Sequence, residues 1–293
     1  MKYTQLGKSD LKISEISFGC MSLENDQNTA TALLRKAHEF GINFFDTADL
    51  YDKGLNEEMV GKALKPVREE VLIATKVGNV WKKDGEGWEW NPTKELILAG
   101  VNESLRRLQT DYIDLYQLHG GTIDDPIDEI IEAFERLKKQ GKIRAYGISS
   151  IRPNVIRQYV TRSDIDSVMM QYSLLDCRPE EFCLNLLAEN NVSVITRGTL
   201  AKGMLIDKPA REYLGYSENE VSQMQSAANK TGNPIGASVQ YVIQQPAVAS
   251  AVLGIRTENQ LDSIMHHFDK PVSEKVMNSL ANTLDPKVYE NHR

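Results

Sequence analysis

This 293-residue sequence predicts an α/β fold: a closed (β/α)8 barrel of the TIM type, preceded by an N-terminal β-hairpin and followed by an extra C-terminal helix. Three observations carry that reading. Eight short runs rich in β-branched residues alternate with longer amphipathic stretches along the whole chain. No Gly-rich dinucleotide turn follows the first run and no low-complexity linker divides the chain, which favours a closed barrel over a doubly wound sheet. Polar residues stand where several of the runs end, and the carboxyl end of the strands is where a parallel barrel keeps its chemistry. Residues 1–293 therefore read as a single domain, close to the ~250 residues typical of such barrels.

In chain order, the opening segment Tyr3 to Ile13 carries Gly7-Lys-Ser-Asp10, a hairpin turn. Strands are expected near residues 15–19, 42–46, 71–76, 112–118, 143–149, 167–171, 192–197 and 248–254. The linking helices are expected at Thr29–Phe40, Glu57–Leu64, Pro92–Leu108, Pro126–Gln140, Arg152–Val160 and Pro179–Asn190, with a longer pair across Ser217–Gln245. Asn91-Pro92-Thr93 and Asp125-Pro126 are start signals, while Gly41 and Gly141 are stop signals. Two more helices follow at Glu258–Phe268 and Val272–Asn282, the second beyond the barrel count. The longest irregular stretch, Val77 to Asn91, holds all three tryptophans. It reads either as a loop that lets Trp81 and Trp88 line an apolar substrate pocket or as a small hairpin packed on the rim.

Composition excludes several classes. A net charge of -7, spread without long runs, offers no basic face to neutralise phosphates, so nucleic acid is not an expected partner. No segment approaches the ~18 uninterrupted apolar residues of a membrane span, and Met1-Lys-Tyr-Thr-Gln5 lacks the apolar stretch of a secretory signal. A soluble, cytoplasmic protein without a membrane partner is expected. The pattern sets no oligomeric state. Cys20, Cys177 and Cys183 lack CxxC spacing and read as reduced thiols, and the five histidines contain no His-x-x-x-His pair, so no metal site is expected.

Four residues at the strand ends form the candidate catalytic set. Asp46 ends the apolar run Ile42-Asn-Phe44-Phe45, and Tyr51 follows on the next loop. Lys76 closes Val71-Leu-Ile-Ala-Thr75, and His119 closes Tyr112-Ile-Asp-Leu-Tyr-Gln-Leu118. A phenol titrates near ~10 and is by itself a poor acid at neutral pH, but a nearby ammonium stabilises its phenolate and an imidazole can hydrogen-bond it. Asp46, reaching Lys76, would keep that ammonium charged and aimed at the phenol. One acid with two tuners suits carbonyl reduction, in which hydride adds to carbon and a proton goes to oxygen. Singly, each residue has a structural reading as a turn carboxylate, loop aromatic, solvated lysine or core histidine. Their joint placement at strand ends is what argues for chemistry.

With these residues in place, the chain resembles the aldo-keto reductase family over nearly its whole length. The carrying segments are Phe44-Phe-Asp-Thr-Ala-Asp-Leu-Tyr51, Asn56-Glu-Glu58 to Gly61-Lys-Ala-Leu64, Ser104-Leu-Arg-Arg-Leu108, Thr110-Asp-Tyr-Ile-Asp-Leu-Tyr-Gln-Leu-His119 and Gly141-Lys-Ile-Arg-Ala-Tyr-Gly-Ile-Ser149. The resemblance implies an NADP(H)-dependent enzyme with a small-molecule carbonyl substrate, NAD(H) being the alternative cofactor. It implies that Asp46, Tyr51, Lys76 and His119 are the catalytic tetrad, Tyr51 acting as general acid in reduction. Ser149, Ser150 and Gln171 match the nicotinamide-carboxamide positions, although the family usually has Asn where this chain has Ser150. Arg197-Gly198-Thr199-Leu200-Ala-Lys202-Gly203 matches the pyrophosphate loop, with Arg197 where many members carry a Tyr that stacks on the nicotinamide. Gly254-Ile-Arg256-Thr-Glu-Asn-Gln260 matches the adenosine-phosphate segment, where the planar fork of Arg256 suits a 2'-phosphate. Two other functions stay open at this point. One is a cofactor-binding redox-sensing or regulatory subunit with slow turnover; the other is a Schiff-base aldolase through Lys76, disfavoured because Asp46 would keep that amine charged.

Overall fold

The computed structural model describes residues 1–293. The chain opens with a hairpin of β1 (Tyr3–Gln5) and β2 (Lys12–Ser14), paired antiparallel. Eight parallel strands then close on themselves: β3 (Ile16–Gly19), β4 (Phe44–Asp46), β5 (Leu72–Val77), β8 (Ile113–Leu118), β9 (Ile143–Ser149), β10 (Ser167–Gln171), β11 (Ser193–Arg197) and β12 (Val248–Gly254). The barrel and its N-terminal hairpin are those expected, with strand boundaries shifted by one or two residues.

Of the two readings of the stretch Val77 to Asn91, the structure has the small hairpin, an antiparallel pair β6 (Asn79–Trp81) and β7 (Trp88–Trp90) with Trp81 directly opposite Trp88. Cross-strand aromatic pairing supplies a reason for the hairpin that a run rich in Gly and Lys conceals. Trp90 donates from its indole N–H to Asp125 (2.9 Å) and lies against Gly78 and Gly120 on the rim.

Ten helices wrap the barrel: α1 (Gln27–Glu39), α2 (Leu55–Leu64), α3 (Lys94–Leu108), α4 (Ile127–Lys139), α5 (Pro153–Arg162), α6 (Cys183–Glu189), α7 (Glu218–Lys230), α8 (Pro234–Ile243), α9 (Glu258–His267) and α10 (Glu274–Ala281). Their starts follow cap chemistry. Asp26 accepts from the backbone N–H of Thr29 (2.8 Å), so α1 begins two residues before the expected Thr29. Thr93 caps α3 in the same way through Leu96. The expected helix Pro179–Asn190 is split into a 3-10 turn, Arg178–Glu181, and the short α6. Asp176 holds Arg178 at 2.7 and 2.8 Å, and Glu180 turns inward to accept from Tyr172 (2.7 Å) and Tyr241. Those ties are incompatible with a continuous helical face.

Two cores result. A large one packs the outward strand side chains against the helices. A smaller one fills the barrel, where inward-facing Phe44, Ala74, Leu115, Ala145, Met169, Ile195 and Ala249 are stoppered from below by Leu6, Leu11 and Ile13 of the hairpin segment. The same side-chain alternation puts Asp46, Lys76 and Gln117 two residues further up their strands, on the interior side at the open end. At the closed end, fully buried Asp114 accepts from Arg68 (2.7 Å), Arg144 (2.9 Å) and the backbone N–H of Ile73 (2.9 Å). No helix is long and apolar enough to cross a membrane.

Candidate active site

Strand β4 ends on Asp46, and the loop beyond it turns back over the end of β5. The N–H of Thr47 reaches the carbonyl of Ala74 (2.9 Å), and that of Asp49 reaches the carbonyl of Lys76 (3.3 Å). Thr47 is pinned through its hydroxyl to Asn56 (2.7 Å), whose amide holds the carbonyl of Cys20 (2.9 Å). Tyr51 is thereby delivered over Lys76. Lys76, 1% exposed, donates to Asp46 Oδ2 (2.7 Å), to the carbonyl of Thr47 (2.8 Å) and to Tyr51 Oη (3.3 Å). All three of its N–H bonds are used, one of them on the phenol.

His119 follows β8, its backbone N–H on the carbonyl of Val77 (2.7 Å) and its carbonyl accepting from Asn79 (3.1 Å). Its ring stands edge-on to Tyr51, with centroids 5.9 Å apart and an interplanar angle of 84°. Contrary to the sequence expectation, the imidazole does not hydrogen-bond the phenol but walls the same pocket, and its buried Nδ1 has no partner in the chain.

Electrostatics bears out the expectation that Lys76 lowers the phenol and adds an opposing influence that the sequence did not show. Burial is the largest influence on Tyr51 and raises it above its ordinary value; Lys76 pulls it back, with a smaller pull from Arg197. For Lys76, burial acts downward, but Asp46 and Tyr51 outweigh it and hold the ammonium above its usual range. Burial raises Asp46 against the opposing pull of Lys76. The 2.7 Å contact favours the ionised pair over a neutral one. His119 is pushed down to about 3 by burial, then by Lys76 and Arg197, so its imidazole is neutral at physiological pH.

The remaining predicted residues divide by position. Ser149, Gln171 and Arg197 end β9, β10 and β11 around the same opening. Gln171 is held at both ends: its Oε1 accepts from Arg197 (2.9 Å) and its Nε2 donates to Tyr213 Oη (2.8 Å). Tyr213 had no sequence signal beyond the Leu214-Gly215 turn beside it, because its partner lies 42 residues away. The hydroxyl of Ser150 caps the next segment through Arg152 N–H (3.2 Å), and that of Thr199 is buried against Thr196 (3.0 Å). Neither side chain faces outward, so at Thr199 only the backbone is available. Gln260 Oε1 accepts from the N–H of Arg256 (2.9 Å) in the N-terminal turn of α9, which occupies that oxygen locally. Trp81 is half-buried under the Lys53 ammonium (5.1 Å to its ring), and Trp88 is exposed.

The donor set around the opening fits a nicotinamide dinucleotide. Gln171 keeps one donor and one acceptor position unused, enough for a carboxamide. The amides of Gly198, Thr199 and Leu200 donate to no group of the chain, in a loop that continues through left-handed Ala201, Lys202 and Gly203. Such a run of free N–H groups with a lysine is an anion cradle. Exposed Arg256 stands just before the N-terminus of α9, a favourable place for phosphate.

Comparison with known proteins agrees with this geometry. The family model described as the aldo/keto reductase family matches residues 15–285. The sequence is 48% identical to the uncharacterized oxidoreductase YqkF of Bacillus subtilis, over 100% of both chains. It is 32% identical to the NADH-specific methylglyoxal reductase of Escherichia coli, over 75% of this chain and 74% of the relative. The solved holo structure of aldo-keto reductase AKR11C1 from Bacillus halodurans superposes with a TM-score of 0.96 at 48% identity, covering 100% of this chain and 99% of that one.

Proposed function

The chain belongs to the aldo/keto reductase family, and on that premise we propose that it reduces an aldehyde or ketone to the alcohol with NADPH, Tyr51 serving as general acid. Members of the family use nicotinamide cofactors, and the reduced ring, when bound, supplies hydride to the carbonyl carbon. The observation that carries the reading is the buried Lys76 ammonium bonded at once to Asp46 (2.7 Å) and Tyr51 Oη (3.3 Å).

As negative charge grows on the substrate oxygen, Tyr51 Oη gives up its proton to it. The phenolate left behind is stabilised by the Lys76 N–H already pointing at it, so no reorganisation is needed at that moment. Asp46 and the Thr47 carbonyl hold the ammonium in that direction. Neutral His119 supplies an N–H to the same oxygen without surrendering a proton and helps exclude water from the pocket. Ser149 and Gln171 would orient the carboxamide. The Gly198–Leu200 amides and Lys202 would take the pyrophosphate, and Arg256 the 2'-phosphate. The indoles of Trp81 and Trp88, on the hairpin beside the mouth, would favour carbonyls with an apolar body.

Following the loss of reduced-cofactor absorbance with aldehydes, ketones and sugars, using NADPH and NADH in parallel, tests this reading. Turnover of at least one carbonyl, with a lower KM for NADPH than for NADH, is expected. No oxidation of either cofactor would remove the reductase reading. A preference for NADH, the specificity named for the Escherichia coli relative, would remove Arg256 from its role.

A further inference from the structure

Behind the Tyr51–Lys76 pair lies a second cluster of charges that the reaction does not consume. Glu57, fully buried on α2, accepts from Thr75 Oγ1 (2.6 Å) with one oxygen and from Arg107 Nε (2.6 Å) with the other. Thr75 is the residue before Lys76. Arg107 in turn lies against the backbone just past Tyr51: Gly54 has φ +89°, and a Cβ there would stand 2.7 Å from Arg107 Cδ. Asp49, two residues before Tyr51, has a buried Oδ1 with no partner in the chain. The charges that act on it come from Glu57 on α2, Arg107 on α3 and Lys76 on β5. The unpartnered, fully buried hydroxyl of Tyr116 on β8 looks onto the same cluster.

Charge counting decides what this arrangement does. Two carboxylates share one guanidinium, the nearby Lys76 being committed to Asp46 and Tyr51. Like charges in a low-dielectric site cannot both ionise freely. Both oxygens of Glu57 are matched to donors, whereas Asp49 Oδ1 has none, so Asp49 is the carboxyl of the two with room for a proton.

We propose that Asp49, Glu57 and Arg107 form a proton-binding site in which Asp49 is a positioning residue, holding the Tyr51 turn on Lys76 when protonated and loosening it when ionised. Burial first, then Glu57, push Asp49 up to about 7, which puts the transition in the physiological range. Its effect on catalysis rests on the reading of Tyr51 and Lys76 given above; the proton site itself does not. Because burial holds the phenol of Tyr51 above its ordinary value, a rate change near neutrality is separable from ionisation of Tyr51.

The test pairs stability with rate in Asp49→Asn, a neutral isostere of the protonated form. A carboxyl raised in the folded state stabilises the protein fully below its unfolded value and loses that contribution as pH rises through the folded one. The Tm of Asp49→Asn relative to wild type should therefore climb by ~3 °C or more between pH 5.5 and 8.5. Over the same range wild-type kcat should fall roughly threefold or more from a step near neutrality, and Asp49→Asn should lack that step. Glu57→Gln, which removes the repelling charge, should move both transitions toward acid and serves if Asp49→Asn does not fold. A Tm difference that stays flat overturns the proton site. A climbing difference with superimposable rate profiles overturns the link to Tyr51. If wild type reduces no carbonyl at all, the reductase reading fails, and the Tm comparison still decides the proton site.

Discussion

Two buried aspartates at opposite ends of the barrel, Asp114 at its closed end and Asp46 at its open end, are treated in opposite ways. Asp114 accepts from two arginines and a backbone N–H, so its charge is paired and hydrogen-bonded to completion. Asp46 accepts from Lys76 through one oxygen, and its buried Oδ1 has no partner in the chain. The contrast extends to their surroundings. The hairpin packs Leu6, Leu11 and Ile13 into the closed end, while buried polar atoms without partners gather toward the mouth on Asp46, Asp49, Asn79, Trp81, Gln117 and His119. Incompletely satisfied buried groups cost stability. Ser167 at the start of β10 and Tyr159 on α5 also have one such atom each, but most lie at the mouth, the half of the barrel with bonding capacity left for a ligand. A cavity of about 450 Å³ does open at the closed end, lined by Lys2, Thr4, Glu15, Gln240 and their neighbours, but its charged residues, Lys2, Glu15 and Glu274, are exposed or half-buried, unlike Asp46 and Lys76. Chemistry, rather than volume, locates the site.

The largest effect is expected at the phenol. Tyr51→Phe should cut turnover ~10²–10⁴-fold, the range for loss of a general acid, with cofactor affinity and urea midpoint nearly unchanged. Full activity in that variant would remove Tyr51 from the mechanism. At the other end the expectation inverts. Asp114→Asn leaves Arg68 without a charge partner and Arg144 with only its longer contact to Asp10 (3.4 Å), and should lower stability by about 3 kcal/mol in urea unfolding, with kcat per folded molecule kept within about twofold.

Acid should single out the mouth through His119. Its folded-state value is depressed, so the stability it contributes is present above the unfolded value near ~6.5 and is lost as pH falls toward the folded value of about 3. Between pH 7.5 and 5 that loss is about 2 kcal/mol, from 1.36 kcal/mol per pH unit below ~6.5. His119→Asn should lose less stability than wild type on the same acidification; equal losses would show an exposed, ordinary imidazole. The smallest effect concerns Arg197, whose charge reaches Tyr51, Asp46 and His119. Arg197→Tyr should strengthen binding of the oxidised, cationic cofactor relative to the reduced form by a factor of about three, as read from the two dissociation constants. An unchanged ratio would place Arg197 away from the ring and leave its bond to Gln171 as its main role.

Much of this protein was legible before any coordinates. Alternation of apolar runs with amphipathic stretches located the eight barrel strands to within a residue or two, because both patterns are local consequences of burying one face. Asp46, Lys76 and His119 could be placed at strand ends for the same reason. The Trp81–Trp88 pairing was less legible, since a hairpin held by aromatic contacts looks like a loop when its turn is rich in charge and glycine.

What the amino-acid order determined unaided was therefore the periodicity, the strand ends and the identity of the polar groups placed there. Only the tertiary structure decided how those groups act on one another. Tyr213 meets Gln171 across 42 residues and Arg107 meets Glu57 across 50, and no local pattern encodes such pairs. The same holds for charge: the lysine does pull the phenol down, as the sequence suggested, but enclosure by the barrel outweighs that pull and raises it. Desolvation depends on everything that surrounds a group, and that is settled only when the whole chain has closed around it.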